Sequence, residues 1–174
     1  MKKLFLLALA SLTLIASPAL AETAVGVVNF GKITQVSKAA TAVQNQVKAK
    51  QKAMQSEADA KEKALLAEDQ ALVKQKDSAD KAAFEAKVKA FREKAAKEQR
   101  AWQDKKVALN KSTAEALDTI QKSLIDIVKQ VAAEKKLNLV ISSAQVLHSD
   151  ASLDITDEVL KRLDAKLPTV AVKF

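Results

Sequence analysis

Nine basic side chains crowd one stretch near the middle of the sequence: Lys74, Lys76, Lys81, Lys87, Lys89, Arg92, Lys94, Lys97 and Arg100. At this density ammonium and guanidinium groups attract anions, whether the carboxylates of an acidic polypeptide or phosphates, over about 8–10 Å at physiological salt. The excess is local. From Lys38 to Lys111, 18 Lys and Arg stand against 11 Asp and Glu, whereas the remainder after residue 21 holds 9 basic and 10 acidic residues. Each lysine alone reads equally well as the solvated face of a helix. Together, confined to one region, the nine are candidates for binding a polypeptide client or another anion.

Other chemistries have little to work with. The chain has one histidine, His148, and no cysteine, which removes disulfides, thiolate metal sites and cysteine nucleophiles. A lone imidazole without clustered carboxylates is not a metal site, so His148 is expected in a core or an interface. Ser142 and Ser143 lie near it, but no nucleophile, base and orienting group come together. No Gly-rich phosphate loop is present, so no nucleotide engine is expected. Asp and Glu sit beside lysines on helix faces. The expectation is a binding protein without cofactor or metal, and not an enzyme. Nucleic acid would be attracted to the charge, but no platform of stacking aromatics is visible and physiological nucleic-acid binding is not expected.

The elements that carry these residues follow from the distribution of helix breakers. Lys2 and Lys3, the apolar run Leu4–Ile15 and the small-x-small site Ala19-Leu20-Ala21 read as a secretory signal peptide, with cleavage after Ala21 and export to the periplasm. The apolar run is too short for the roughly 20 residues of a membrane span. Beyond it the only glycines are Gly26 and Gly31 and the only proline is Pro168. Residues 32–167 therefore lack both residues that cost helices most, which predicts very long helices.

Within that span apolar residues recur at Val36, Val43, Val47, Met54, Ala58, Leu65 and Leu72. They resume at Phe84, Val88, Phe91, Ala95, Trp102 and Leu109, and continue through Leu117, Ile120, Leu124, Ile127 and Val131. Spacings of 3, 4 and 7 describe a coiled-coil-like seam. A reversal near 74–80, with Asp77 or Ser78 as the second helix's cap, folds it into a hairpin of limbs 38–76 and 79–136, each on the order of 60 Å long. The seam is thin, because Lys50, Lys61, Glu98 and Lys105 stand where a strict heptad places large apolar residues. Phe84, Phe91, Trp102 and Met54 are assigned to seam packing.

Flanking the hairpin, residues 24–30 read as a buried strand, 137–141 as a second and 145–148 as a third. Asp154 or Thr156 caps a final helix carrying Ile155, Val159, Leu160 and Leu163, and residues 166–174 form a tail. The fold class is α+β: a long antiparallel helical hairpin inserted in a small β body. The organisation is a signal peptide at 1–21, a body made of 22–37 and 112–174, and an arm at 38–111. Two or three short strands and one short helix are too few for an independent core. Open strand edges invite pairing, so copies are expected to complete one another's sheet as a symmetric oligomer of unspecified number.

The chain resembles the Skp/OmpH family of periplasmic chaperones over its length after the signal peptide. The resemblance rests on Val27-Val28-Asn29-Phe30-Gly31, on Leu137-Asn138-Leu139-Val140-Ile141, and most on Val146-Leu147-His148-Ser149 through Asp154-Ile155-Thr156-Asp157-Glu158-Val159-Leu160. Ser37 to Thr41 carries no glycine where some relatives break the helix, which leaves the start of the first arm helix open. The resemblance implies a homotrimer with a shared β body and three arms around a cavity. Unfolded outer-membrane proteins would be held there without ATP and kept from aggregating. Lipopolysaccharide or an anionic membrane surface is a further implied partner. The alternative is a coiled-coil structural or adaptor protein of the envelope, against which the thin seam argues.

Overall fold

A computed structural model of the chain describes residues 23–76 and 80–174. The signal peptide read into residues 1–21 and the candidate caps Asp77 and Ser78 lie outside the described residues.

Strand β1 (Val25–Val28) is followed by a short helix α1 (Phe30–Val36), then α2 (Lys38–Gln75) and α3 (Lys81–Glu134). Strand β2 (Leu139–Ser142), two single 3-10 turns and helix α4 (Thr156–Lys166) complete the order. β1 and β2 pair in parallel, Val25 opposite Leu139 and Val28 opposite Ser142. Parallel neighbours need a crossover, and here it is the whole of α1, α2 and α3.

The first strand is shorter than the sequence suggested, because Asn29 turns the chain. Its side chain accepts from the Lys32 amide at 2.8 Å and so caps α1, while its own amide donates to the buried Thr156 hydroxyl at 2.9 Å. α1 breaks from α2 at Ser37 without any glycine. Ser37 sits in extended geometry and accepts from the Ala40 amide, and the Lys38 amide is taken by the Asp164 carboxylate of α4 at 2.8 Å. Two orphan donors at the start of the long helix are thereby satisfied, one of them by the body.

The third strand does not form. Ser143–Gln145 is a 3-10 turn, and His148 is exposed in irregular chain rather than in a core. The extra bridge to β1 comes instead from Asp154, opposite Val27, with the Ile155 amide donating to the Val27 carbonyl at 2.9 Å. Asp154 also accepts from the Thr156 amide at 2.8 Å where α4 begins.

The core lies where α3 enters the body. Ile120, Leu124, Ile127 and Val131 on α3 meet Val28, Ile33, Val43, Val159 and Leu163. α3 ends in a Schellman turn: the Leu137 amide bonds the Ala132 carbonyl at 2.8 Å and the Lys136 amide bonds Ala133 at 3.2 Å. This geometry needs a left-handed residue. Lys136 takes that place with φ of 55°.

Candidate functional site

Helices α2 and α3 run antiparallel, and between the body and the far end of the hairpin the apolar content of their seam is low. On the stretch away from the body, Met54 and Leu109 are the only buried large apolar residues among those described; Leu65, Phe84, Val88, Phe91 and Trp102 are half-buried. Met54 is thus buried in the seam as assigned, whereas the aromatics Phe84, Phe91 and Trp102 are covered only in part.

Charged residues fill the gaps. Lys105 of α3 reaches Glu57 of α2 at 2.5 Å, Lys61 of α2 pairs with Glu98 of α3, and Lys94 reaches Glu68 at 2.5 Å. Nearest the turn, the Lys87 ammonium donates to the Gln75 amide oxygen at 2.7 Å. Of the residues that interrupt the heptad pattern, Lys61, Glu98 and Lys105 are thus cross-hairpin partners, whereas Lys50 lies over the Phe174 ring. The sequence did contain the signal, since Glu57/Lys105, Glu68/Lys94 and Gln75/Lys87 are each mirrored about residue 81 and Lys61/Glu98 lies close to the same centre. Lys105 and then Lys61 hold the Glu57 carboxyl below its ordinary value, and Glu98 and then Glu57 raise the Lys61 ammonium. Exposed pairs of this kind are weak individually and salt-screened; they align the limbs without locking them.

Asp80 begins α3, accepting from the Ala83 amide at 3.0 Å. All nine basic candidates are exposed, with Lys74 and Lys76 at the end of α2 and Lys81, Lys87, Lys89, Arg92, Lys94, Lys97 and Arg100 on the first half of α3. Their contacts differ. Lys87 and Lys94 are turned to the cross-hairpin contacts. Lys89, Arg92, Lys97 and Arg100 form no ion pair among the described residues. Lys89 and Arg92 share a shallow face with Phe84, Glu85, Val88 and Glu93, and Lys97 and Arg100 one with Glu93 and Asp104. The face is basic with apolar and acidic residues interspersed, suited to many weak contacts rather than to one tight anion site.

At the root of the hairpin a separate charged cluster ties α3 to α4. Arg162 donates to both oxygens of Glu134, at 2.8 and 2.6 Å, and to Glu158 at 2.5 Å; Lys135 lies 2.9 Å from Glu158. Arg162 lowers the Glu134 carboxyl; Lys135, followed by Arg162, lowers that of Glu158.

The body also exposes apolar residues. Leu147 is fully exposed, and Leu139, Val36, Leu117 and Ile125 are each more than a third exposed. β2 has one paired edge among the described residues, toward β1. No group of three or more His, Asp or Glu that could hold a metal occurs among the described residues, and no helix among them is long and apolar enough to cross a membrane.

The family model described as outer membrane protein (OmpH-like) matches residues 24–163. Among solved structures, the fold is similar to that of an OmpH-like protein from Caulobacter crescentus described as a candidate outer membrane chaperone. The TM-score is 0.80 and the identity 24%, over 89% of this chain and 90% of that one. No curated protein matches the chain by sequence.

Proposed function

The chain belongs to the OmpH-like family, and from that premise we propose that it is an ATP-independent holdase chaperone of the periplasm. Its clients are unfolded outer-membrane proteins, bound between helical arms and kept from aggregating. The observation that carries this reading is the hairpin itself: two helices of 38 and 54 residues whose outer seam is closed by exposed ion pairs and half-buried side chains. Little apolar area is buried per turn there, so opening or bending the arm costs little. A surface that yields can meet clients sharing no sequence.

In this reading residues 22–37 and 112–174 form the body and 38–111 the arm. Copies associate as a homotrimer through the body, which the free β2 edge and the exposed Leu139 and Leu147 support. Several arms around one client raise the effective concentration of weak contacts. The cations Lys89, Arg92, Lys97 and Arg100 steer acidic segments to the arm, and the same charge suits lipopolysaccharide or an anionic membrane surface as a secondary partner. No step of holding a chain requires bond chemistry, so the protein acts by binding and not as an enzyme.

The test is size-exclusion chromatography with light-scattering mass after dilution of a urea-unfolded β-barrel protein into the purified chain. A soluble complex of one client with three copies supports the proposal. A client that precipitates, leaving the chain's own peak unchanged, overturns it.

A further inference from the structure

After α4 the chain does not trail into solvent. After a bend at Pro168 the chain enters the groove between α2 and α3 at the root of the hairpin, and its side chains alternate from Val170 on. Val170 and Val172 are buried in the core, while Ala171 and Lys173 are exposed. Phe174 is half exposed, with the Lys50 ammonium 4.8 Å from its ring centre.

Both helices bond the segment's backbone. The Gln46 side chain of α2 donates to the Val170 carbonyl at 2.8 Å and accepts from the Val172 amide at 3.0 Å. From α3, the Ser112 hydroxyl donates to the Lys173 carbonyl. Main-chain bonds combined with apolar side chains at every second position are how an extended strand is recognised. None of these bonds depends on which residues the strand carries, beyond the alternation.

The groove continues past Phe174. Lys50, Met54, Ala108 and Leu109 line its next part, which shares Glu57 and Lys105 with a cleft of about 310 Å³ bounded by Ala58, Leu65, Ala95 and Trp102. The tail thus lies at the near end of a row of two clefts, between which the Glu57–Lys105 pair crosses the hairpin. It also lies beyond residue 163, where the family match ends.

We infer that this groove is a binding site for extended segments with apolar residues at alternate positions, and that residues 167–174 are its resident occupant, displaced when such a segment binds. The alternation matches the chemistry of the clients proposed above, since β-barrel membrane strands alternate apolar and polar residues along their length; the identity of the occupant rests on that reading. A tethered tail competes at an effective concentration on the order of millimolar. Short free segments therefore bind the intact chain weakly, and a long client offering many such segments displaces the tail.

The test uses a fluorescein-labelled peptide with the sequence of Leu167–Phe174, followed by anisotropy against the intact chain and against a chain ending at Lys166. The shortened chain should bind the peptide about ten-fold more tightly or better, as removal of a tethered competitor requires. Gln46→Ala in the shortened chain should reverse most of that gain. A peptide of the same composition with its apolar residues made contiguous should bind neither. If the shortened chain fails to fold, the full-length Val172→Ala/Phe174→Ala variant, whose tail is loosened but present, should show a smaller gain over the intact chain. Equal affinity for intact and altered chains, or equal binding of the rearranged peptide, overturns the inference. Aggregation assays run in parallel separate the two claims. Protection of a β-barrel client without peptide binding sinks the groove and spares the holdase, and peptide binding without protection does the reverse.

Discussion

Lys105 on α3 and Glu57 on α2 stand 2.5 Å apart across the hairpin, although 48 residues separate them in sequence. Glu57 also receives Lys61, four residues on, at 3.2 Å, and Lys61 in turn holds Glu98. The four side chains form a polar clasp at positions where a stiff coiled coil would bury leucines.

Replacing the clasp's central pair tests what this polarity is for. Lys61→Leu with Glu98→Leu puts apolar area into the seam, where burial contributes about 25 cal/mol per Å². The double variant should raise the melting temperature of the arm and reduce hydrogen exchange along residues 55–68 and 94–105. It should also hold unfolded clients less well. A stiffer arm with undiminished client capacity would contradict the link between softness and holding.

The basic face separates into two kinds of residue. Lys89→Gln, Arg92→Gln, Lys97→Gln and Arg100→Gln together should slow client capture in stopped-flow mixing and flatten its salt dependence, with thermal melting nearly unchanged. Lys94→Gln should instead loosen the pairing with Glu68 and leave the salt dependence close to that of the parent. Identical behaviour of the two variants would mean that the face is only a solvated helix surface.

Acid should destabilise the chain. The carboxyls of Glu57, Glu134 and Glu158 are held below their ordinary value of 4.5 by hydrogen bonds from Lys105, Arg162 and Lys135 respectively. A lowered folded-state value means that their stabilising contribution is full above pH 4.5 and is lost as the pH falls through the folded value. Melting temperature should therefore be flat from pH 5 to 8 and decline below about 4.5. Glu134→Gln should lessen that decline by removing the partner that binds Arg162 through both oxygens. A decline that begins well above pH 5 would contradict the assignment to these carboxyls.

The end of α3 provides a backbone test. Lys136 holds the left-handed position of a Schellman turn that glycine fills at less cost. Lys136→Gly should stabilise the chain by roughly 0.5–1 kcal/mol, and Lys136→Val should destabilise it by about 1 kcal/mol or more. Thermal unfolding in parallel reads both. In the core, Leu124→Ala should cost about 2–5 kcal/mol, because the side chain is fully enclosed where α3 enters the body.

The long helices were legible because residues 32–167 lack glycine and proline, and helix propensity integrates over many residues. β1 and β2 were legible as short β-branched runs. What was not legible depended on single hydrogen bonds. Asn29 and Ser37 divide strand, α1 and α2 by capping amides, and polar residues there read equally well as part of a neighbouring element. Val146 and Leu147 suggested a strand, but without a neighbouring edge to bond in this chain the segment is irregular, and its place by β1 goes to Asp154. The tail was invisible as structure because its place depends on distant partners: Gln46, 124 and 126 residues from Val170 and Val172, and Ser112, 61 residues from Lys173. The nine basic candidates were found as a group, whereas separating Lys87 and Lys94, which reach across the hairpin, from those unpaired among the described residues required their partners on α2.

The central claim is that soft, basic arms hold an unfolded chain without energy input. Light scattering measures it most directly, after dilution of a urea-unfolded outer-membrane β-barrel protein into nucleotide-free buffer containing the chain. The account predicts that scattering is suppressed in proportion to the chain added, reaching near-complete suppression at about three copies per client, with protection weakening as salt is raised. Scattering that rises as in buffer alone, at every ratio and salt concentration, would contradict it.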